Sequence, residues 1–255
     1  MTEAQYNDQL MRIVTKKIAN ELEGAFWIAE KNGPNAWPAD DIRVMWDGWR
    51  YRLTHSALGE TYYNKVTGSA HLINACEGGT TGSDILLPGK IAEQAATAPY
   101  NWEYKYHFML KAMPSKYKAA NGLANMAFLN SDLVTQDYFA ALSARSTGLG
   151  DAVFSGNVPP QYGRVPIIDV PLMPTTLGDP TATPSTDGKV GAGSYTDVLL
   201  TPKNNLIIGI QRDVKIETKR EAADEATYVF YSLRMDVAIE NVDACVLLRC
   251  LEHAC

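Results

Sequence analysis

The sequence predicts an α+β fold in which a long amphipathic helix lies across a long β-hairpin, beside a compact mixed unit. Three observations carry this. From Thr2 to Lys31 the chain has no proline and only Gly24 as a glycine, and its apolar residues recur at three- and four-residue steps. Asp213 to Lys219 alternates charged with uncharged side chains, and Thr227 to Glu240 alternates again, the period of a strand with two unlike faces. Between helix and hairpin, short apolar runs are broken by Gly, Pro, Asn and Asp, as in short strands and helices of mixed order.

The first helix is expected over about 3–31. Leu10, Ile13, Val14, Ile18, Leu22, Ala25, Phe26 and Ala29 fall on one face, wider than a coiled-coil seam and suited to packing on a sheet. Asn32-Gly33-Pro34 ends it, since glycine takes the left-handed cap and proline cannot continue a helix. In 34–99, short strands are expected within Arg43–Thr54 and Glu60–Ile73, an exposed loop at Glu77–Ser83, and a helix over Lys90–Ala98. Gly89-Lys90 is followed by Ile91 and lacks the hydroxyl that a phosphate-binding loop requires.

A third helix runs from about Tyr100 to Met113 and stops at Pro114. Gly122–Leu129 reads as a buried strand. Asn130-Ser131-Asp132 supplies side chains that cap a helix continuing to Leu142, which Gly148 and Gly150 follow. Val165–Val170 is a short apolar edge strand, and Thr175–Ser194 an exposed loop. Val198–Leu200 and Leu206–Ile208 are short strands around the turn Thr201–Asn205.

In the hairpin, Val214, Ile216 and Thr218 share one face of the outgoing strand, and Asp213, Lys215, Glu217 and Lys219 the other. Glu221–Ala226 is the turn. On the return strand Val229, Tyr231, Leu233, Met235, Val237 and Ile239 align, opposite Arg234, Asp236 and Glu240. One face is expected to be buried under the long helix. The charged face has two readings: a solvated sheet face, or a ribbon that docks on a neighbouring subunit, where complementary charges set register. Ala244–Leu251 is nearly continuous in apolar character and is expected to be buried on both sides.

Composition narrows the function. With 255 residues the chain is one large domain or two modest ones. A net charge of −6 speaks against general binding of nucleic acid or anionic membrane. No apolar run reaches the ~20 residues of a membrane span, and the N-terminus lacks a signal-peptide pattern. Cys245, Cys250 and Cys255 are five residues apart, unlike zinc-ligand pairs, and read as reduced thiols of an intracellular protein. The nucleophile elbow and the dinucleotide fingerprint are missing, and His55, His71, His107 and His253 are scattered. No catalytic, cofactor-binding or metal-ligating residue is assigned. An α+β enzyme with a Trp-lined pocket around residues 37–49 stays as an alternative.

The order of elements carries more. The long helix, the helix ending in Ala112-Met-Pro-Ser-Lys-Tyr117, the strand before Asn130-Ser-Asp132, Gly163-Arg-Val-Pro-Ile-Ile-Asp-Val-Pro171, and Pro202–Glu217 with its hairpin and the Asp243–Leu248 strand follow in sequence. This set resembles the major capsid proteins of tailed bacteriophages, of the Hong Kong 97-type fold, over residues 1–32 and 100–255. The resemblance implies a peripheral domain over 1–118, with the spine helix at 3–31 and an unplaced elaboration at 34–99. It implies an axial domain over 119–205, a peripheral long hairpin at 206–240, and 241–255 as a C-terminal strand returning to the axial domain.

The same resemblance implies a structural virion protein that forms hexamers and pentamers of an icosahedral shell around phage DNA, assembled in the host cytoplasm. The acidic balance suits weak, non-specific DNA contact. Portal or decoration proteins are further implied partners; no membrane is. Thr175–Ser194 becomes the axial loop and the tip near Glu221–Ala226 a contact near three-fold junctions. Asp213, Lys215, Glu217, Lys219, Glu221, Asp224 and Glu225 are the candidate subunit contacts. Family members usually carry an N-terminal arm and an extended loop before the spine helix. Here the helix starts almost at Met1, so both are expected to be absent, and no cross-linking residue is assigned. An encapsulin-like protein compartment shares the fold and is the alternative, distinguished by its cargo.

Overall fold

The computed structural model describes residues 3–31, 41–54, 72–74, 85–86, 102–118, 122–143, 160–173, 175, 195–221 and 226–252. Helix α1 spans Glu3–Ile28, α2 Trp49–Thr54, α3 Trp102–Ala112, α4 Ser115–Lys118 and α5 Asp132–Ser143. The strands are β1 Leu72–Asn74, β2 Ile85–Leu86, β3 Met126–Asn130, β4 Gln161–Tyr162, β5 Val165–Asp169, β6 Tyr195–Pro202, β7 Leu206–Glu221, β8 Ala226–Ile239 and β9 Val246–Glu252.

Two sheets result. A seven-stranded mixed sheet has the order β2-β1-β9-β6-β3-β5-β4, and a two-stranded antiparallel ribbon is made of β7 and β8. Alternation along the central strands of the larger sheet sends successive side chains to opposite faces. Met126, Phe128, Val198, Leu200, Val246 and Leu248 meet Tyr106, Met109 and Met113 of α3 and Val134 and Tyr138 of α5 on one side. Leu199 and Leu247 point the other way, into a second core with Leu22, Ala25 and Trp27 of α1, Trp49 and Leu53 of α2, and Val237 at the ribbon base. Helices on both faces therefore bury β6 and β9 twice over, and Val246, Leu247 and Leu248 fit the doubly buried strand expected there.

Four expectations change. Arg43–Thr54 is not strand: Ile42–Val44 forms a 3-10 turn capped by Asp41, and Trp49–Thr54 is helical. The spacing Trp46, Trp49, Leu53 is a helical period, and all three are buried in the second core. Gly48 permits this, because a Cβ there would lie 2.8 Å from the Phe26 carbonyl oxygen and 2.9 Å from the Ala29 nitrogen. The strand expected from Gly122 starts only at Met126, after a 3-10 turn over Gly122–Asn125. The expected apolar face of the long helix is too wide: Leu22, Ala25 and Ala29 are buried and Met11, Val14 and Ile18 half-buried, whereas Leu10 and Ile13, turned away from Leu22 by about 120° and 180°, are exposed.

The strand at Val165–Asp169, expected at an edge, pairs with β3 on one side and with the short β4 on the other, so β4 is the edge; further expectations hold. Helix α3 stops before Pro114, and α5 begins at Asp132. The β4–β5 connection places Gly163 at φ 56° and Arg164 at φ 73°, the two positive values a tight two-residue hairpin turn needs. The stop signal 32–34, the loop 77–83, the helix 90–98, Gly148 and Gly150, 176–194 of the expected loop and the turn 222–225 lie outside the described residues. Among the described residues no helix is long and apolar enough to cross a membrane.

Candidate assembly surface

Among the described residues the ribbon is the part of the fold with the least cover. Strand β7 has 16 residues, about 50 Å of extended chain, while the larger sheet ends at Pro202. Its base is held firmly. Asn205 Nδ2 lies 3.0 Å from Thr201 Oγ1 and 2.9 Å from the Asn241 carbonyl, which accept from it, and Asn205 Oδ1 accepts from the Asn241 N–H at 2.7 Å. Cys245 Sγ sits 3.0 Å from the same amide and 3.4 Å from Thr201 Oγ1. Burial pushes the Cys245 thiol up to about 11, against the two hydrogen bonds. This polar clasp joins the two points where the chain leaves the large sheet and returns. Trp49 Nε1 adds a bond to the Ala238 carbonyl, and Arg52 pairs with Asp236.

Beyond the base, cover runs out. The face turned to α1 carries Tyr231, Leu233 and Met235, half-buried, with the Tyr231 hydroxyl 3.8 Å from Met11 Sδ. On β7, however, Ile208, Ile210 and Ile216 are 42%, 60% and 37% exposed, and on the far face Ile207, Tyr228 and Phe230 are exposed as well. The expectation of one buried face is therefore met only near the base. Helix α1 sets Leu22, Ala25 and Trp27 into the second core and meets the outer ribbon through Met11 and Tyr231. Exposed apolar residues grouped on one projecting element mark an interaction surface.

The charged face is built as the alternation foretells. Register shifts fall between Ile210 and Arg212 and between Arg212 and Lys215. Together they restore parity, so Lys215, Glu217 and Lys219 stand opposite Ser232, Phe230 and Tyr228. Lys215 pairs with Glu217, and Lys219 with Glu221 at 3.1 Å, all four well exposed. The partnership raises the Lys215 ammonium above its usual range and lowers the Glu217 carboxyl. Asp213 lies within the second register shift of β7 and is not paired in the row; Asp224 and Glu225 fall outside the described residues. The structure thus brings Lys215, Glu217, Lys219 and Glu221 into one row. Sequence reasoning passed over Tyr228 and Phe230 beside it, whose rings stack at 6.5 Å; their even-numbered positions on β8 were the available signal.

Among the described residues the tryptophans pack into the core and line no substrate-sized pocket. Trp46 and Trp49 are buried and clustered with Phe26 and Trp27, with ring centroids 5.0 to 5.9 Å apart; Trp37 is not among the described residues. A nearby cavity lined by Trp27, Leu53, Met173 and the Arg50–Asp197 ion pair encloses about 10 Å³, room for about one water. Asp41 caps the 3-10 turn and pairs with Arg43, which holds its carboxyl below the usual range. Among the described residues no group of three His, Cys, Asp or Glu side chains could hold a metal ion.

No protein-family model matches the chain. A putative prophage capsid protein, YqbE of Bacillus subtilis (strain 168), is 27% identical over 135 residues, which are 52% of this chain and 40% of that protein. The match thus spans well under half the length of that relative. Among solved structures, a chain of the satellite phage P4 procapsid including size determination (Sid) protein aligns over 98% of this chain and 68% of its own, with a TM-score of 0.50 and 12% identity. The capsid of an empty GTA particle covers 97% and 66% at a TM-score of 0.49 and 14% identity. In sequence and in fold, the chain is similar to phage capsid proteins.

Proposed function

We propose that this chain is a major capsid subunit of the Hong Kong 97-type fold, whose hexamers and pentamers build an icosahedral shell enclosing phage DNA. The observation that carries the reading is the ribbon: a long element, clasped to a doubly covered core, that leaves Ile208, Ile210 and Phe230 exposed. A chain acting alone gains nothing from such a surface, whereas a shell subunit buries it on its neighbours. Helix α1 is then the spine, the ribbon the peripheral arm, and 119–205 with the C-terminal strand the axial unit. The chain acts by self-association and carries no catalytic role. Portal and decoration proteins are further partners, DNA contact is weak and non-specific, and the shell assembles in the host cytoplasm. Asp213, Lys215, Glu217, Lys219, Glu221, Asp224 and Glu225 are proposed subunit contacts.

Sedimentation and electron microscopy of the purified chain test this reading. Closed shells or capsomers support it, and a strict monomer at high concentration contradicts it. Shells recovered from phage-producing cells should hold nucleic acid; enclosed enzyme would favour a protein compartment instead.

A further inference from the structure

The row Lys215, Glu217, Lys219, Glu221 has a property beyond its exposure. Its side chains are 64%, 59%, 64% and 40% exposed, and the signs alternate. Read backwards, the row is Glu, Lys, Glu, Lys. A second copy laid antiparallel over it therefore sets every lysine against a glutamate. A parallel copy in the same register sets like on like, which is unfavourable.

The neighbouring strand obeys the same symmetry. Phe230 stands opposite Glu217 and Tyr228 opposite Lys219. An axis that exchanges Glu217 with Lys219 of a second copy also lays Phe230 of one ribbon over Tyr228 of the other. These rings are 53% and 43% exposed and already stacked within the chain. Among the described residues α1 touches the opposite face, through Met11 and Tyr231.

We infer that two copies of this chain pack the outer halves of their ribbons face to face and antiparallel, about a two-fold axis passing between Glu217 and Lys219. The inference rests on the self-assembly reading and specifies one of its contacts. An isologous contact requires a patch complementary to itself, and both rows meet that requirement about one axis. Each lysine then lies between two carboxylates, one in its own chain and one in the partner. The charges fix register, and the aromatic pair supplies the apolar area.

Zero-length carbodiimide coupling of the self-associated wild-type chain, followed by mass spectrometry, tests it. Lys215 and Glu221 lie six positions apart in one strand, about 20 Å, too far to be joined within a chain. The expected product is a covalent dimer carrying a Lys215–Glu221 link, lost in Glu221→Gln. K215E/K219E alone should lose this dimer, as should E217K/E221K alone, while an equimolar mixture of the two restores it. Thermal melting of each variant checks that the fold is intact. Association with intersubunit links elsewhere but none between Lys215 and Glu221 overturns the contact and leaves self-assembly standing. So does normal dimer yield from K215E/K219E, or covalent trimers joined at this row. A wild-type chain that stays monomeric overturns both readings.

Discussion

Val246–Leu248 in β9 and Ile207–Ile210 in β7 are both apolar runs, but Val246 and Leu248 are fully buried while Ile208 and Ile210 are 42% and 60% exposed. Composition does not separate them; cover does. Strand β9 lies between β1 and β6, with α3 and α5 on one side and α1 and α2 on the other. Among the described residues strand β7 has a single strand partner, β8, and α1 reaches the outer ribbon through Met11 and Tyr231. Hydrophobic stabilisation scales with the area removed from water, so the large sheet secures the fold and the ribbon holds its apolar area in reserve. A two-stranded ribbon is itself marginal in water and needs packing from elsewhere. In this fold the neighbouring subunit is the proposed source.

Substitutions sharpen the contrast. The largest effect on folding is expected at Phe128, fully buried and in contact with the Tyr106 ring at a centroid distance of 4.5 Å. Phe128→Ala should cost about 3–5 kcal/mol in chemical denaturation, because it removes apolar contacts and leaves a cavity. A loss under about 1 kcal/mol would mean that the core is not continuous there.

Next comes the clasp. Asn205→Ala leaves the Asn241 N–H and carbonyl without this partner, and should cost about 1–3 kcal/mol. Because the clasp lies where the ribbon joins the sheet, hydrogen exchange of β7 and β8 amides should speed up more than that of β6 and β9. Equal acceleration in both sheets would break the comparison.

The clasp also carries a pH dependence. The Cys245 thiol is raised from 9.0 to about 11 in the folded chain. Below pH 9 both states hold the proton and the stabilisation is complete. Between pH 9 and 11 the unfolded chain releases the proton and the folded chain retains it, so stability falls, by at most about 2–3 kcal/mol. Cys245→Ala should flatten this alkaline decline in a series of melts. Parallel curves for the variant and wild type would remove Cys245 as the cause.

The smallest effect on folding is expected in the ribbon. Ile210→Ser or Phe230→Ser alters side chains already exposed, so stability should change by less than about 0.5 kcal/mol. Destabilisation as large as that of Phe128→Ala would show the ribbon to be part of the core.

The sequence made some of this legible for identifiable reasons. The two-residue period at 213–219 and 227–240 and the short continuous apolar runs at 198–200 and 244–251 report strands, because both are local patterns in the chain. The charged row was readable for the same reason. Hidden was whatever depends on distant partners. Arg43–Thr54 looked like strand because its aromatics carry strand propensity. Its helix follows from Trp46 and Trp49 packing on Phe26 and Trp27, and from Gly48 against the end of α1. The exposure of Leu10 and Ile13 is a matter of helix geometry: at about 100° per residue Ile13 falls on the side opposite Leu22, and Leu10 about 120° from it. The stacking of Tyr228 on Phe230 needs only the alternation of β8, on which they stand two residues apart, and it was passed over although that signal was present.

Electron microscopy of the purified wild-type chain beside the double variant I210S/F230S, at matched concentration and after matched melting curves, tests the central claim most directly. The account predicts shells or capsomers for the wild type and dispersed subunits for the equally stable variant. Particles of the same size and yield from both would contradict it, because the ribbon would then be exposed in the assembled state as well.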